Sequence, residues 1–351
     1  MKEMMNSMLN NTPEPPEEVP GSNIRSRLTS FGGVKVRVYE PKNRDPEATL
    51  PALVYLHGGG LVTGHLDMYH GDLRMLSERL GVAAVAVSYR LAPEHPYPAA
   101  FGDAFAATRW LLAHPKEIGI DPQRVVVSGD SAGGLLTAAV SGAIADDPSV
   151  PDIKLQVLFY PWLQSLDLNT PSYQKMRSES YGRIFRLVEL MPIFISAAVL
   201  GSANQSVVQQ ISSNNHTSAD VKRSAPYRDY ISHSLIPKDM MPESYKPPES
   251  DDYGNEELWN SMKTALTSWK LVPLMRDDLS KLPRAFVATC GYDVLRDDGI
   301  MYVKRLDKAG VPVEWVNYET AFHGIPRFGP LSFEIGRKMY DDSIAFIEKY
   351  L

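Results

Sequence analysis

Short apolar runs alternate with segments of helical spacing over most of this sequence, and the alternation limits the folds that the chain can adopt. The strand-like runs are Gly33–Pro41, Leu50–His57, Val82–Tyr89, Arg124–Ser128, Lys154–Tyr160, Arg284–Cys290 and Val311–Tyr318. The helix-like segments are Asp72–Leu80, Ala99–Ala113, Ala132–Ala145, Leu295–Ala309 and Phe333–Lys349. Strands that alternate with helices predict an α/β fold, in which helices cover both faces of a mostly parallel sheet.

The alternation stops between Asp167 and Leu282, where prolines, aromatic residues and the Ser/Asn-rich stretch Ser202–Ser218 occur. An insertion of this length is typical of a lid over a site, although a variable surface excursion has the same signature. Prolines and glutamates in Met1–Pro20 favour a flexible arm. We therefore expect an arm over residues 1–23, a core formed by 24–167 and 283–351, and an inserted lid over 168–282.

The composition excludes several classes of protein. The 351 residues are 44% hydrophobic and 22% charged, as in ordinary globular proteins. A net charge of -6 without a basic stripe argues against a nucleic-acid partner. The single cysteine, Cys290, cannot form an intramolecular disulfide or a multi-cysteine zinc site, so folding needs no oxidising compartment. No apolar run reaches the roughly 18 residues of a membrane span, and Met1–Pro20 lacks the apolar core of a signal peptide.

A G-x-S-x-G sequence lies between the strand-like run Arg124–Ser128 and an apolar helical segment. It places Ser131 on a predicted sharp turn between Gly129 and Gly133, with its hydroxyl exposed above the sheet. Glycines leave room in such a turn, and the following helix points free N–H groups at the same place. We predict that Ser131 is a nucleophile and that Asp130 braces the turn. The alternative is an ordinary glycine-rich turn.

Three glycines directly follow the buried run that ends at His57. Backbone N–H groups of a glycine loop are unshielded, so they can donate to an oxyanion together with the residue after a nucleophile. We predict an oxyanion hole formed by the N–H groups of Gly58, Gly59 and Ala132. Gly60 completes the motif, and we predict a structural role for His57. The alternative is a flexible turn.

The last third of the chain supplies a base and an acid. A serine hydroxyl needs a base to take its proton, and the base needs an orienting partner. Asp293 and His323 each follow a strand-like run, where α/β proteins build their sites. The order Ser131, Asp293, His323 is that of an α/β-hydrolase triad. A helix cap is the competing interpretation of Asp293, and Asp297 is a rival acid that we expect inside the helix.

With these residues assembled, the sequence resembles the hormone-sensitive-lipase branch of the α/β-hydrolases, and within it the arylacetamide deacetylase and neutral cholesterol ester hydrolase group. The resemblance covers roughly Ile24–Leu351. The matching segments are HGGG (His57–Gly60), SYRLAPEHPYPAA (Ser88–Ala100), GDSAGG (Gly129–Gly134), YPWLQSLDLNTPSY (Tyr160–Tyr173), TCGYDVLRDDGIMYVKRL (Thr289–Leu306) and FHG (Phe322–Gly324).

The resemblance implies an α/β-hydrolase fold with an eight-stranded sheet. It also implies Ser131 as nucleophile, Asp293 and His323 as its partners, and an oxyanion hole from Gly58, Gly59 and Ala132. Members of this group begin with an apolar anchor and face the lumen of the endoplasmic reticulum, whereas this sequence starts after the place of such an anchor. A soluble variant and a longer protein with an upstream segment both stay open. Three glycosylation triplets, at Asn10, Asn204 and Asn215, slightly favour a lumenal location.

We therefore predict a serine hydrolase that cleaves neutral, apolar esters, including arylacetamides or lipid esters, without a metal or another cofactor. The apolar segment Leu190–Leu200 of the lid is expected to line the acyl pocket or to rest on a membrane surface, with lid core as the alternative. An amidase or peptidase shares the triad chemistry. A small-ligand receptor on the same fold is the rival outside enzymes, because plant gibberellin receptors resemble this family but lack the triad histidine. The oligomeric state is not predicted.

Overall fold

The computed structural model describes residues 15–45, 47–179, 187–327 and 333–351. Its strands are β1 (Ile24–Phe31), β2 (Val34–Pro41), β3 (Leu50–Leu56), β4 (Ala83–Val87), β5 (Ile120–Asp130), β6 (Leu155–Phe159), β7 (Arg284–Tyr292) and β8 (Val313–Phe322). They form one eight-stranded sheet in the order β1-β2-β4-β3-β5-β6-β7-β8. β2 pairs antiparallel with β1 and β4, and the pairs from β4 to β8 are parallel. The predicted α/β fold with a mostly parallel sheet is confirmed.

Helices cover both faces of the sheet. The longer helices are α1 (His70–Leu80), α2 (Ala99–Ala113), α3 (Ala132–Ala145), α4 (Pro171–Ser178), α5 (Leu187–Leu200), α6 (Gln205–Ser212), α7 (Glu256–Leu266), α8 (Arg296–Lys308) and α9 (Glu334–Tyr350). Side chains of β3 alternate between the faces. Leu53 and Tyr55 belong to the cluster that includes α1 and α9, whereas Val54 and Leu56 belong to the cluster of α2 and α3. This two-sided burial explains the continuous apolar runs of the central strands.

The edge strand β1 was not predicted. Its sequence, IRSRLTSF, buries Ile24 and Phe31 at its two ends but carries Arg25 and Arg27 between them. Both arginines lie near the carboxylate of Glu40 on β2, at 3.2 and 3.6 Å. An edge strand with this polar content lacks the apolar pattern by which strands are recognised.

Of the arm predicted over residues 1–23, residues 1–14 lie outside the described residues. Its described part contacts the edge of the sheet. Glu18 forms an isolated antiparallel bridge with Arg25, and its carboxylate accepts a hydrogen bond of 2.9 Å from Lys42.

The region predicted as a lid, 168–282, contains α4 to α7 and no strand among its described residues. Most of α5 is buried, including Met191, Phe194, Ile195 and Ala198. Within the described part of the chain, no single helix has the length and apolarity needed to cross a membrane. Together α5 and α6 meet that criterion only as a pair bent by 119°.

The three glycosylation triplets differ in their surroundings. Asn204 is exposed at the start of α6. Asn215 is partly buried, and Thr217 of its triplet is fully buried. Asn10 lies outside the described residues. Of the two triplets among the described residues, the Asn204 triplet is the accessible one.

Candidate active site

Ser131 lies on a strained turn between β5 and α3. Its backbone has φ 57° and ψ -117°, a region that residues with a Cβ rarely adopt. A Cβ on Gly129 would lie 2.4 Å from the carbonyl oxygen of Gly133, and one on Gly133 would lie 1.9 Å from that of Leu56. The turn therefore requires glycine on both sides of Ser131.

Hydrogen bonds to neighbouring segments hold this strained turn in place. The N–H of Ser131 donates to the carbonyl oxygen of Phe159 at 2.9 Å, and the N–H of Trp162 donates to the carbonyl oxygen of Ser131 at 3.0 Å. Two backbone bonds, one to the last residue of β6 and one to the segment after it, thus fix the position from which the Ser131 hydroxyl projects.

The structure brings the three predicted side chains together. His323 Nε2 lies 2.9 Å from Ser131 Oγ, and His323 Nδ1 lies 2.7 Å from Asp293 Oδ2. β8 continues to Phe322, so His323 follows the strand directly. This is the arrangement in which an imidazole can take a proton from a hydroxyl while a carboxylate orients it.

Asp293 also makes the local contact expected of a turn residue. Its Oδ1 accepts a hydrogen bond of 2.9 Å from the N–H of Leu295, just before α8 begins at Arg296. Its carboxylate therefore has one oxygen for the turn and the other for His323. The rival acid Asp297 lies inside α8, where it pairs with Arg296 and accepts from the N–H of Ser172.

The structure contradicts the prediction that the N–H of Gly58 belongs to an oxyanion hole. That N–H donates to Asp130 Oδ1 at 2.9 Å and to the Tyr69 hydroxyl at 3.0 Å. A Cβ on Gly58 would lie 2.5 Å from Asp130 Oδ2. The first glycine of the loop is therefore fixed to the residue before Ser131, and its donor is occupied.

The next two glycines have free donors. Within the described residues, no hydrogen bond is found for the N–H groups of Gly59, Gly60 or Ala132. The carbonyl oxygen of Gly59 accepts from Thr63 N at 3.0 Å and from Thr63 Oγ1 at 3.1 Å, which closes the turn of the loop. Gly59 and Gly60 have φ of 123° and 65°, so both favour glycine.

Asp130 is the centre of a buried hydrogen-bond cluster. Besides the N–H of Gly58, its carboxylate accepts from Tyr55 at 3.1 Å and from Tyr69 at 3.0 Å. The guanidinium of Arg327, four residues after His323 in sequence, lies 4.4 Å from the centre of the Tyr69 ring. Asp130 thus contacts the glycine loop, and Tyr69 connects it to the segment after His323.

His57 is buried beside this cluster. Its ring stacks on Tyr89 with 4.2 Å between centroids, and its Nδ1 lies 2.8 Å from the carbonyl oxygen of Gly58. Burial lowers the pKa of His57 to about 4, so the side chain is neutral at physiological pH. These contacts fit the structural role predicted for it.

Several contacts at the site were not predicted from the sequence. Tyr160 has φ 36° and packs edge-on against His323, with 4.8 Å between the ring centres. Phe194 of α5 lies over the glycine loop, because a Cβ on Gly60 would come within 2.4 Å of its ring. Tyr69 lies in a short turn without any motif, and only the folded chain shows its contact with Gly58.

The site shows no clustered metal ligands. Among the residues that the structure describes, no group of three His, Cys, Asp or Glu side chains is placed to hold a metal ion. The groups that the structure places at Ser131 are a hydroxyl, an imidazole, a carboxylate and backbone N–H groups.

Comparison with known proteins gives relatives over nearly the whole chain. Residues 53–225 and 242–327 match a family described by its alpha/beta hydrolase fold. Neutral cholesterol ester hydrolase 1 of Pongo abelii is 34% identical over 332 residues, which cover 92% of this chain and 79% of that protein. Arylacetamide deacetylase of Bos taurus is 35% identical over 339 residues, 94% of this chain and 81% of that protein. The solved hyperthermophilic esterase of Pyrobaculum calidifontis aligns at a TM-score of 0.65 and 28% identity, over 99% of this chain and 90% of that one.

Proposed function

Because the chain belongs to the alpha/beta hydrolase family and is an ester hydrolase of it, we propose that it cleaves neutral, apolar carboxylic esters by way of an acyl-enzyme on Ser131. The observation that carries the proposal is the position of His323, within hydrogen-bond reach of Ser131 Oγ and Asp293 Oδ2 at once. A hydroxyl, a base and an orienting acid in contact are the components of nucleophilic acyl transfer.

The proton path follows from these contacts. His323 Nε2 takes the proton of Ser131 Oγ as the oxygen attacks the ester carbonyl carbon. The resulting imidazolium is stabilised by Asp293, which accepts from Nδ1–H and keeps the other nitrogen free for proton transfer. His323 then protonates the leaving alkoxide, and a water molecule repeats the sequence on the acyl-enzyme. The products are a carboxylic acid and an alcohol.

The oxyanion formed in each step needs donors that are free in the resting site. The N–H groups of Gly59, Gly60 and Ala132 meet this requirement, and that of Gly58 does not. We therefore assign the hole to Gly59, Gly60 and Ala132. Gly58 anchors the loop instead. Preorganised donors of this kind stabilise the negative charge because they need not reorient during the reaction.

Two observations support a neutral, apolar ester as substrate. The relatives are named for cholesterol ester hydrolysis and arylacetamide deacetylation. In this chain, the apolar helix α5 places Phe194 directly against the glycine loop. The buried face of α5 supports pocket lining or lid core for Leu190–Leu200 rather than membrane contact. Charged substitutions at Ile193 and Phe194 separate the three roles of this segment. A change in ester preference supports pocket lining, a change in vesicle binding supports membrane contact, and a change in neither supports lid core.

The test compares the wild type with Ser131→Ala. We expect the variant to lose on the order of a thousandfold or more in kcat for p-nitrophenyl acetate, because loss of the nucleophile disables the whole triad. A fluorophosphonate probe should label the wild type at Ser131 and leave the variant unlabelled. Ser206→Ala, at an exposed serine of α6, is the matched control and should retain activity and labelling. A fully active Ser131→Ala protein would disprove the assignment of Ser131 as nucleophile. An inactive wild type would favour the alternative function, a small-ligand receptor on the same fold.

A further inference from the structure

Two hydrogen bonds from the lid reach the chain on either side of Asp293, and helix α4 supplies both. Ser172 Oγ donates to the carbonyl oxygen of Val294 at 2.6 Å, and Lys175 Nζ donates to the carbonyl oxygen of Gly291 at 3.1 Å. The two side chains are three residues apart, so they lie on the same face of α4. One bonded carbonyl directly follows Asp293, and the other precedes it by two residues. The lid therefore holds the backbone on both sides of the acid.

Further contacts fix α4 against this turn. The backbone N–H of Ser172 donates to Asp297 Oδ2 at 2.6 Å, and both residues are buried. The Lys175 ammonium also lies 4.7 Å from the centre of the Tyr292 ring, which adds a cation–π contact. The hydroxyls of Thr170 and Ser172 lie 3.1 Å apart. Because a carbonyl can only accept, the Ser172 proton is committed to the backbone, and Thr170 is the donor of that pair.

The chain that Lys175 holds is a β-bulge directly before the acid and the base. Between two register positions β8 has three residues, where β7 has only Gly291. A Cβ on Gly291 would collide with a backbone oxygen of β8. Pairing resumes between Tyr292 and Phe322, and the next residues are Asp293 and His323. Bulges re-aim the side chains beside them, so a shift of the backbone here changes the distance between acid and base.

We propose that Ser172 and Lys175 are positioning residues of the triad, which fix the backbone around Asp293 so that the lid helix α4 sets the distance from the acid to His323. The inference rests on the proposed function, because it concerns the acid of that triad. Both residues act through Asp293 and neither is catalytic. The lid then takes part in the reaction from two sides, since α5 places Phe194 on the glycine loop.

The experiment removes each contact and measures kcat and KM for p-nitrophenyl acetate. A displacement of about 1 Å in an active site costs up to about a hundredfold in rate. Ser172→Ala and Lys175→Met should therefore lower kcat about tenfold or more and change KM little. Lys175→Arg keeps a cation and N–H donors, so it should recover most of the activity that Lys175→Met loses.

Two substitutions serve as matched controls. Ser178→Ala removes a hydroxyl of the same helix that donates to the carbonyl oxygen of Lys175 at 2.9 Å. Lys304→Met removes an exposed lysine of α8. Both should retain the wild-type kcat. Urea unfolding is recorded for every variant, and Lys175→Met, at a half-buried position, carries the test if Ser172→Ala does not fold.

A double-mutant cycle separates positioning from general damage to the site. In an Asp293→Asn background the acid is already lost, so Ser172→Ala should change kcat by less than about twofold. Damage elsewhere would instead multiply with the loss from Asp293→Asn. The same loss in both backgrounds, or wild-type kcat in both Ser172→Ala and Lys175→Met, would overturn the positioning role alone. The absence of Ser131-dependent hydrolysis in the wild type would overturn the proposed function with it.

Discussion

The Tyr69 hydroxyl offers a test of whether the glycine loop is held in its working position by Asp130. Tyr69 donates to Asp130 Oδ2 at 3.0 Å and accepts from the N–H of Gly58 at 3.0 Å. Tyr55 donates to the same carboxylate at 3.1 Å and, among the described residues, makes no hydrogen bond to Gly58. Both tyrosines are buried. Tyr55→Phe is therefore a closely matched control for Tyr69→Phe.

The two variants should differ in kcat because both tyrosines donate to Asp130 but only Tyr69 accepts from the N–H of Gly58. Each substitution removes one hydrogen bond to a carboxylate, which contributes about 1.5–3 kcal/mol to stability. Tyr69→Phe removes in addition one of the two acceptors of the Gly58 N–H, a neutral bond of about 1 kcal/mol. If that bond fixes the loop that carries Gly59 and Gly60, its loss appears in the transition state. We expect kcat to fall about fivefold further in Tyr69→Phe than in Tyr55→Phe, which corresponds to about 1 kcal/mol.

Steady-state hydrolysis of p-nitrophenyl acetate gives kcat and KM for both variants, and urea unfolding gives their stabilities. A trifluoromethyl ketone, whose hemiketal with Ser131 places an oxyanion in the hole, should bind Tyr69→Phe more weakly in proportion to the loss of kcat/KM. KM should change little, since the ground-state carbonyl makes weaker demands on the donors. Equal losses of kcat in the two variants, or a loss confined to KM, would refute the role of Tyr69 in positioning the loop.

Three further predictions follow from the same contacts. Asp293→Asn should leave the fold intact and lower kcat about 10⁴-fold in steady-state hydrolysis of p-nitrophenyl acetate, because a neutral amide no longer holds the imidazole in the tautomer that takes the Ser131 proton. Gly60→Ala should cost about a hundredfold in kcat, because its Cβ meets the Phe194 ring, and Phe194→Ala in that background should restore part of the activity. Burial lowers the pKa of His216 to about 4 from 6.5, so the unfolded chain binds the extra proton between these values and stability falls as pH drops from 6.5 to 4. His216→Gln should reduce that fall by about 1.4 kcal/mol per pH unit in urea titrations, and an unchanged slope would show that His216 is not buried neutral.

The central strands and the helices between them could be predicted because burial on both faces leaves a continuous apolar signal. β4 and β6 were placed to within a few residues, and α3 was predicted with its observed ends, Ala132 and Ala145, despite the glycine inside it. Ser131, Asp293 and His323 were predicted for a different reason. Each directly follows a strand of the parallel part of the sheet, and parallel strands bring such positions to one edge of the sheet.

The features that escaped prediction depend on contacts between segments distant in sequence. β1 is recognisable only once Arg25 and Arg27 are seen beside Glu40 on the neighbouring strand. In the lid, α7 does bury a periodic face formed by Leu258, Trp259, Met262 and Leu266, but it is not flanked by strands and was not predicted. Phe194 contacts Gly60 across more than a hundred residues, and nothing in the composition of either segment indicates that contact.

The error at Gly58 has a physical origin that extends beyond this loop. A run of glycines shows that backbone N–H groups are unshielded, but it does not show which of them already has an acceptor. Here the acceptor is Asp130, the neighbour of the nucleophile, so one carboxylate fixes both the loop and the turn that carries Ser131. The loop must be held at one glycine so that the next two can present their donors without reorientation. Occupation of the Gly58 N–H is thus the condition under which Gly59 and Gly60 can serve as a preorganised hole.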